Sequence, residues 1–255
     1  MISGLFNALV HQPLYNGLIF LTDIIPGGSV GFAVIILTLV VKSLLFPLSR
    51  KAVLTQQKIK QIEPDLNAIK EKYKNDKQEQ AKKILNFYKE KGVNPFASLF
   101  LMLVQLPIII TLYRIFWTSG LPQIQEEALY SFVSSPETVN MVFLGLVDIS
   151  AKSWVLAILV GVATFIQMRL SMPAVDIKKG AKTFKEDLAR SMNIQMKYVF
   201  PFLSIFISYS LSGAVALYWL TSNLFTITQE IFVKRNRQQK QPTSLVSAGR
   251  TDKVQ

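Results

Sequence analysis

Cysteine is absent from this 255-residue chain, and histidine occurs once, as His11. Without thiols there is no disulfide framework, no thiolate nucleophile and no cysteine metal site, and the redox compartment is not legible. One imidazole leaves triad and zinc chemistry poorly supplied. No H-E-x-x-H string occurs and no pair of aspartates falls inside an apolar run, which disfavours an intramembrane hydrolase and reads as a protein that is not an enzyme. Lysine and arginine are also missing, but only locally. Residues 1–27 and 119–151 contain neither, and the second stretch carries Glu126, Glu127, Glu137 and Asp148. The first has no basic n-region and no small-residue cleavage site, which argues against a signal peptide. Its apolar residues are interrupted by Asn7, His11, Gln12, Pro13 and Asn16, so it reads as an interfacial amphipathic helix, with an uncleaved extra span as the alternative.

What the chain does have is long apolar runs. Half of its residues are hydrophobic and its mean hydropathy is +0.33. Several runs approach the ~20 residues that a helical span requires. The class is all-α and polytopic, with spans expected at about 29–48, 96–118, 153–169, 197–211 and 213–232. The stretch from Tyr198 to Phe232 would make one helix of ~52 Å, far beyond a hydrocarbon core of ~30 Å. A break at Leu211-Ser212-Gly213-Ala214 divides it into two short spans.

Loop charge sets the orientation, because lysine and arginine accumulate on the cytoplasmic side. Residues 49–94 hold 12 basic and 6 acidic side chains, and residues 169–197 hold 7 and 3. From Lys234 onward six basic residues face Asp252 alone. Five spans, with the N-terminus outside and the C-terminus inside, put every basic segment in the cytoplasm; four would strand the tail outside. The net charge of +12 is then a topology signal first and a hint of anionic partners second. The expected organisation is an outer-side helix 1–27, a five-span core 28–232 and a basic, disordered tail 233–255. The core includes a cytoplasmic helical hairpin 52–92 and a basic loop 170–197. In the hairpin, Ile59, Ile62, Leu66, Ile69 and Tyr73 draw an apolar seam at spacings of three and four, and Gly92 supplies a stop. Its charged faces read as solvated surface or as a membrane-surface or ribosome contact.

Lys42 is the one charge in the apolar run from Gly28 to Leu48. A charge inside a span costs roughly 2.5–3.5 kcal/mol on insertion scales and faces a water-filled cavity or a partner by default. The competing reading is snorkelling, since Leu48 lies only ~9 Å further along a helix axis. Thr38 shares a helical face with Lys42, and Gln105 and Gln167 fall within other runs. Trp219, Asn223, Thr226 and Glu230 line one face of the last run. Interhelical hydrogen bonding is the plain reading for such residues and is the one adopted for Ser204 and Ser208. For Lys42, Gln105 and Asn223 a shared polar cavity is the alternative. A solute transporter or channel would also use an intramembrane lysine, but no repeated half and no pair of broken helices is visible.

Four strings then carry a family resemblance: Val40 to Leu48 (VVKSLLFPL), Gly92 to Pro95 (GVNP), Gln105 to Ile108 (QLPI) and Leu217 to Asn223 (LYWLTSN). In this order, separated by a charged hairpin and a basic loop, they resemble the successive signatures of the YidC membrane protein insertases, over about Leu5 to Arg235. The large periplasmic domain of many Gram-negative members has no counterpart, so the likeness is to the short bacterial form. The lipoprotein cysteine common in Gram-positive relatives is missing too. The resemblance implies a bacterial cell-membrane protein with five helices around a hydrophilic groove open to cytoplasm and lipid. It implies insertion of nascent small or weakly hydrophobic membrane proteins, alone or beside the Sec translocon, with the translating ribosome and the bilayer as further partners and no nucleotide, metal or cofactor. By position, Lys42 stands where the family has a groove arginine, keeping the charge but not the bidentate fork. Thr38, Gln105 and Trp219 match groove or substrate-contact positions. Pro47, Asn94, Pro95 and Asn223 match motif residues of structural character.

Overall fold

The computed structural model describes residues 2–94, 97–117, 121–171 and 195–240, and these are mostly helical. The helices are α1 (Ile2–Phe6), α2 (Gln12–Ile24), α3 (Val30–Leu44), α4 (Phe46–Lys72), α5 (Lys77–Glu90), α6 (Ala97–Trp117), α7 (Trp154–Ser171), α8 (Phe200–Ser210) and α9 (Gly213–Lys240). A π-helical turn, Asn7–His11, joins α1 to α2, and another, Gln195–Val199, leads into α8. Between α6 and α7 a small antiparallel hairpin forms from β1 (Val142–Phe143) and β2 (Val147–Asp148). Pro95, most of the basic loop 170–197 and the tail beyond residue 240 lie outside the described residues.

The core lies where α2, α3, α6, α7 and α9 meet, with Leu18, Val30, Ile115 and Val160 at 0 % exposure. The same helices are apolar outward as well: Ile36, Ile110, Ile158 and, on α8, Phe206 are exposed. Helices apolar on packed and open faces alike suit a surface that meets hydrocarbon rather than water. By length and composition alone α7 is long and apolar enough to cross a bilayer, while α3 and α4 pass that test only as a bent pair.

That bend departs from the sequence expectation of a first span reaching residue 48. Helix α3 stops at Leu44, the chain turns by 65°, and α4 begins at Phe46 with Pro47 in its first turn. Proline lacks an N–H and disfavours the continuation of a helix already running, but it is well tolerated where a helix starts. The first arm of the hairpin therefore starts at Phe46 rather than at residue 52 and runs 27 residues through Pro64. Leu66 on the predicted seam is buried, and Ile59, Ile62, Ile69 and Tyr73 are half-buried. Asp76 starts the second arm, its Oδ1 accepting hydrogen bonds from the N–H groups of Gln78 and Glu79 at 3.0 Å each.

The long C-terminal run breaks at Leu211 and Ser212, between α8 and α9. The first N–H groups of α9 are satisfied from outside the helix: Gly213 donates to Ala151 O and Ala214 to Ile149 O, both at 2.8 Å. A Cβ at Gly213 would fall 2.9 Å from Ile149 Cα, so this stitch requires glycine. Helices α7 and α8 also approach closely, for a Cβ at Gly161 would meet Ile205 Cγ1 at 2.3 Å. The serines of α8 do not bridge helices as expected. Ser204 donates to Pro201 O of its own helix at 2.7 Å, and the buried Ser208 hydroxyl has no partner among the described residues. Their small size, rather than their hydroxyls, is what a close helix contact uses.

Candidate functional site

Helix α3 carries Lys42 one turn before the bend, where the helix has nearly run out and the side chain is half-buried. Its ammonium donates to Gln105 Oε1 of α6 at 3.3 Å. The amide of Gln105 has a second end, and its Nε2 donates to the hydroxyl of Tyr218 on α9. Three helices distant in sequence thus share one polar chain, ammonium to amide to phenol. Tyr218 is 3 % exposed. No carboxylate among the described residues lies within ion-pair distance of Lys42. Gln105 is neutral and supplies no counter-charge.

The inner side of this site is closed. Leu14, Val34, Leu37, Thr38, Val41, Ile108, Leu112 and Tyr218 surround a space of about 10 Å³, near the minimum for one water. Thr38 is 2 % exposed and donates to Val34 O of its own helix at 2.6 Å, so its hydroxyl is already used. Beyond the bend, a cleft of about 360 Å³ runs along α4, lined by Lys51, Leu54, Thr55 and Lys58.

The other residues singled out from the sequence go elsewhere. Trp219 is half-buried and packs its ring on the core next to Tyr218 in sequence. Asn223 is 5 % exposed, and its Nδ2 donates to Thr164 Oγ1 of α7 at 2.9 Å, which ties α9 to α7. Pro47 sits at the start of α4. Asn94 follows Val93, whose N–H donates to Tyr88 O at 2.9 Å behind α5.

A second polar cluster lies further along α9. Glu230, 3 % exposed, accepts from Ser171 Oγ at 2.6 Å and pairs with Lys234 at 3.1 Å. Lys234 also donates to Leu170 O at 2.8 Å, and Lys60 of α4 reaches the same carbonyl at 3.4 Å. Gln229 donates to Ser49 Oγ at 2.6 Å, tying α9 directly to α4. Burial first, then the positive charges of Lys234 and Lys197, lowers the Lys60 pKa below the usual lysine value, with Glu230 and Glu63 opposing. Glu230 was read from sequence only as one member of a helix face. The partners escaped notice because they come from three helices.

Tyr218 was missed as well. A tyrosine in an apolar run counts toward hydrophobicity, yet its hydroxyl needs a partner once buried, and that need was the available signal.

The sequence model described as "60Kd inner membrane protein" matches residues 20–241 of this chain. The protein named "Membrane protein insertase YidC" from Clostridium tetani is 33 % identical over 91 % of this chain and 92 % of its own length. Its namesake from Fusobacterium nucleatum is 32 % identical over 82 % and 87 %. A third, from Haemophilus ducreyi, is 31 % identical over 91 % of this chain but only 38 % of its own.

Proposed function

We propose, from the premise that this chain belongs to the 60Kd inner membrane protein family, the family of the YidC insertases, that it inserts small or weakly hydrophobic membrane proteins through a charged groove at Lys42. The observation that carries this reading is the ammonium of Lys42, held at 3.3 Å by a neutral amide and facing no carboxylate among the described residues. The helices α3, α6, α7, α8 and α9 are the five spans, arranged with Lys42 open toward cytoplasm and lipid. Residues 1–27 lie on the outer side, the α4–α5 hairpin and the basic loop 170–197 lie in the cytoplasm, and the basic tail 233–255 contacts the ribosome. The Sec translocon is an optional partner, and no cofactor or catalytic step is involved.

The mechanism follows from the cost of moving polar groups. A substrate with a short polar outer segment faces several kcal/mol for each unsatisfied polar group crossing hydrocarbon. A hydrated site partway across removes part of that barrier. Lys42 attracts an acidic substrate segment as a point charge, Gln105 holds the ammonium in place, and Tyr218 holds Gln105. Lysine lacks the planar fork of arginine, so the attraction is less directional and the substrate is released readily. The apolar substrate helix then leaves sideways along Trp219 into lipid.

The test is insertion by the purified protein in proteoliposomes, using one acidic-tailed and one neutral-tailed substrate. Lys42→Arg retains insertion. Lys42→Leu lowers insertion of the acidic-tailed substrate by about tenfold, an effect of ~1.4 kcal/mol, and Lys42→Glu lowers it further by repulsion. Full activity of Lys42→Leu on both substrates leaves snorkelling as the account of this residue and removes the charged groove.

A further inference from the structure

The β1–β2 hairpin leaves large apolar side chains exposed at its turn. Its turn is Leu144-Gly145, with φ of 55° and 70°, closed by a hydrogen bond from Leu146 N–H to Phe143 O at 3.1 Å. Such a turn favours Asn-Gly or Asp-Gly, because a branched side chain is strained in the left-handed region. Leucine stands there instead, 63 % exposed, and Leu146 beside it is 84 % exposed. Strain and exposure together mark a position kept for something outside the fold.

The hairpin is rigidly mounted. Val30 N–H at the start of α3 donates to Asn140 O at 3.0 Å, and Ile149 N–H donates to Met141 O at 2.9 Å. Phe143 meets Phe32 of α3 edge-on at 5.3 Å, and a Cβ at Gly31 would collide with the Phe143 ring at 2.3 Å. Phe32 begins an exposed apolar stripe that continues through Ile36, Leu39 and Val40 at helical spacing. The turn therefore extends the open apolar face of α3 rather than standing apart from it.

We infer that the Leu144-Gly145-Leu146 turn is a lipid anchor, seated in the interfacial layer of the outer leaflet and holding α3 at a set height in the bilayer. This rests on the membrane-spanning reading of α3 given above. Three features select lipid as the occupant. The stripe on α3 runs directly into the turn. Residues 119–151 carry no lysine or arginine, so the contact is apolar and owes nothing to anionic headgroups. The turn also retains backbone groups that hydrocarbon cannot satisfy, which stops it at the interface rather than deeper. Lys42 lies twelve residues beyond Val30, or ~18 Å along the helix, so anchoring the turn fixes the depth of the ammonium.

The chain contains no cysteine, so single nitroxide labels report without background removal. In phosphatidylcholine proteoliposomes, a label at Leu146→Cys collides with oxygen several-fold more, relative to a water-soluble nickel chelate, than a label at Glu126→Cys. A label at Ile158→Cys on α7 serves as the lipid-facing control. Adding Leu144→Asn, which installs the favoured Asn-Gly turn, leaves the thermal midpoint in detergent unchanged or raised and shifts the label at 146 toward water. Anionic lipid in place of part of the phosphatidylcholine changes none of this. A wet label at 146 with a lipid-exposed label at 158 overturns the anchor while the membrane reading stands. Protection at 146 from both reagents overturns it in favour of a protein occupant, and a lowered midpoint for Leu144→Asn overturns it by placing Leu144 in the fold. A wet label at 158 removes the membrane reading itself and the anchor with it.

Discussion

Two of the polar clusters among the described residues, those around Glu230 and Lys42, are built on opposite terms. Around Glu230 the carboxylate is nearly inaccessible, but a serine hydroxyl at 2.6 Å and an ammonium at 3.1 Å use its acceptors. Lys60 and Lys234 converge on one carbonyl at the end of α7, that of Leu170, where the helix end is itself negative. Around Lys42 the ammonium has one 3.3 Å bond to a neutral amide. A buried charge with full compensation is architecture, because nothing remains for a ligand to satisfy. One left short of a counter-charge is destabilising until something supplies it. The first cluster ties α4, α7 and α9 together; in the second, no carboxylate among the described residues pairs with the half-buried Lys42.

Opposite consequences of mutation test that contrast most strongly. Glu230→Gln leaves Lys234 without its ion-pair partner and lowers stability by about 1–2 kcal/mol, a discounted figure because Lys234 is partly exposed. The thermal midpoint in detergent falls while insertion per folded molecule holds. Lys42→Leu does the reverse, keeping or raising the midpoint and losing insertion. Were Glu230→Gln to abolish insertion at full stability, the distinction between the clusters would collapse.

A smaller effect sharpens the architectural side. Asn223→Ala removes the single bond to Thr164 and costs about 0.6 kcal/mol, the average for polar contacts between membrane helices. That corresponds to a midpoint lower by roughly 2 °C for a domain of this size. A loss of insertion with an unchanged midpoint would move Asn223 to the functional side.

The smallest effect is a pH dependence at Lys60. Its folded pKa lies below its unfolded value, so between the two the unfolded chain binds more protons and stability rises with pH. The penalty for a partly buried ammonium is full below the folded pKa and is relieved as pH approaches 10.5. Replacing Lys60 with Met flattens this alkaline rise in a denaturation series; an identical slope in both proteins would show that Lys60 pays no such penalty.

Some of this was readable in advance and some was not, for identifiable reasons. Lys42 and Gln105 stood out because each is a strongly polar group in an apolar run, and a run of that kind makes every exception visible. Tyr218 did not, since its ring satisfies the same hydrophobic pattern its hydroxyl breaks. Pro47 was visible, but proline is accepted in the first turn of a new helix and also tolerated in spans with neighbouring support, so the end of α3 at Leu44 was not. The β1–β2 hairpin was invisible because strands of two residues have no period to read.

The sequence by itself determined the class of this protein, through runs of hydrophobicity, the uneven placement of lysine and arginine, and four ordered strings that resemble one family. Those properties are sums over neighbouring residues, and neighbours in sequence are enough to state them. Only the tertiary structure decided which polar groups meet. Lys42, Gln105 and Tyr218 are joined across three helices, as are Lys60, Leu170 and Lys234, and packing alone brings such distant positions within hydrogen-bond reach. It also decided which charge was left wanting, because compensation is a property of a site in space.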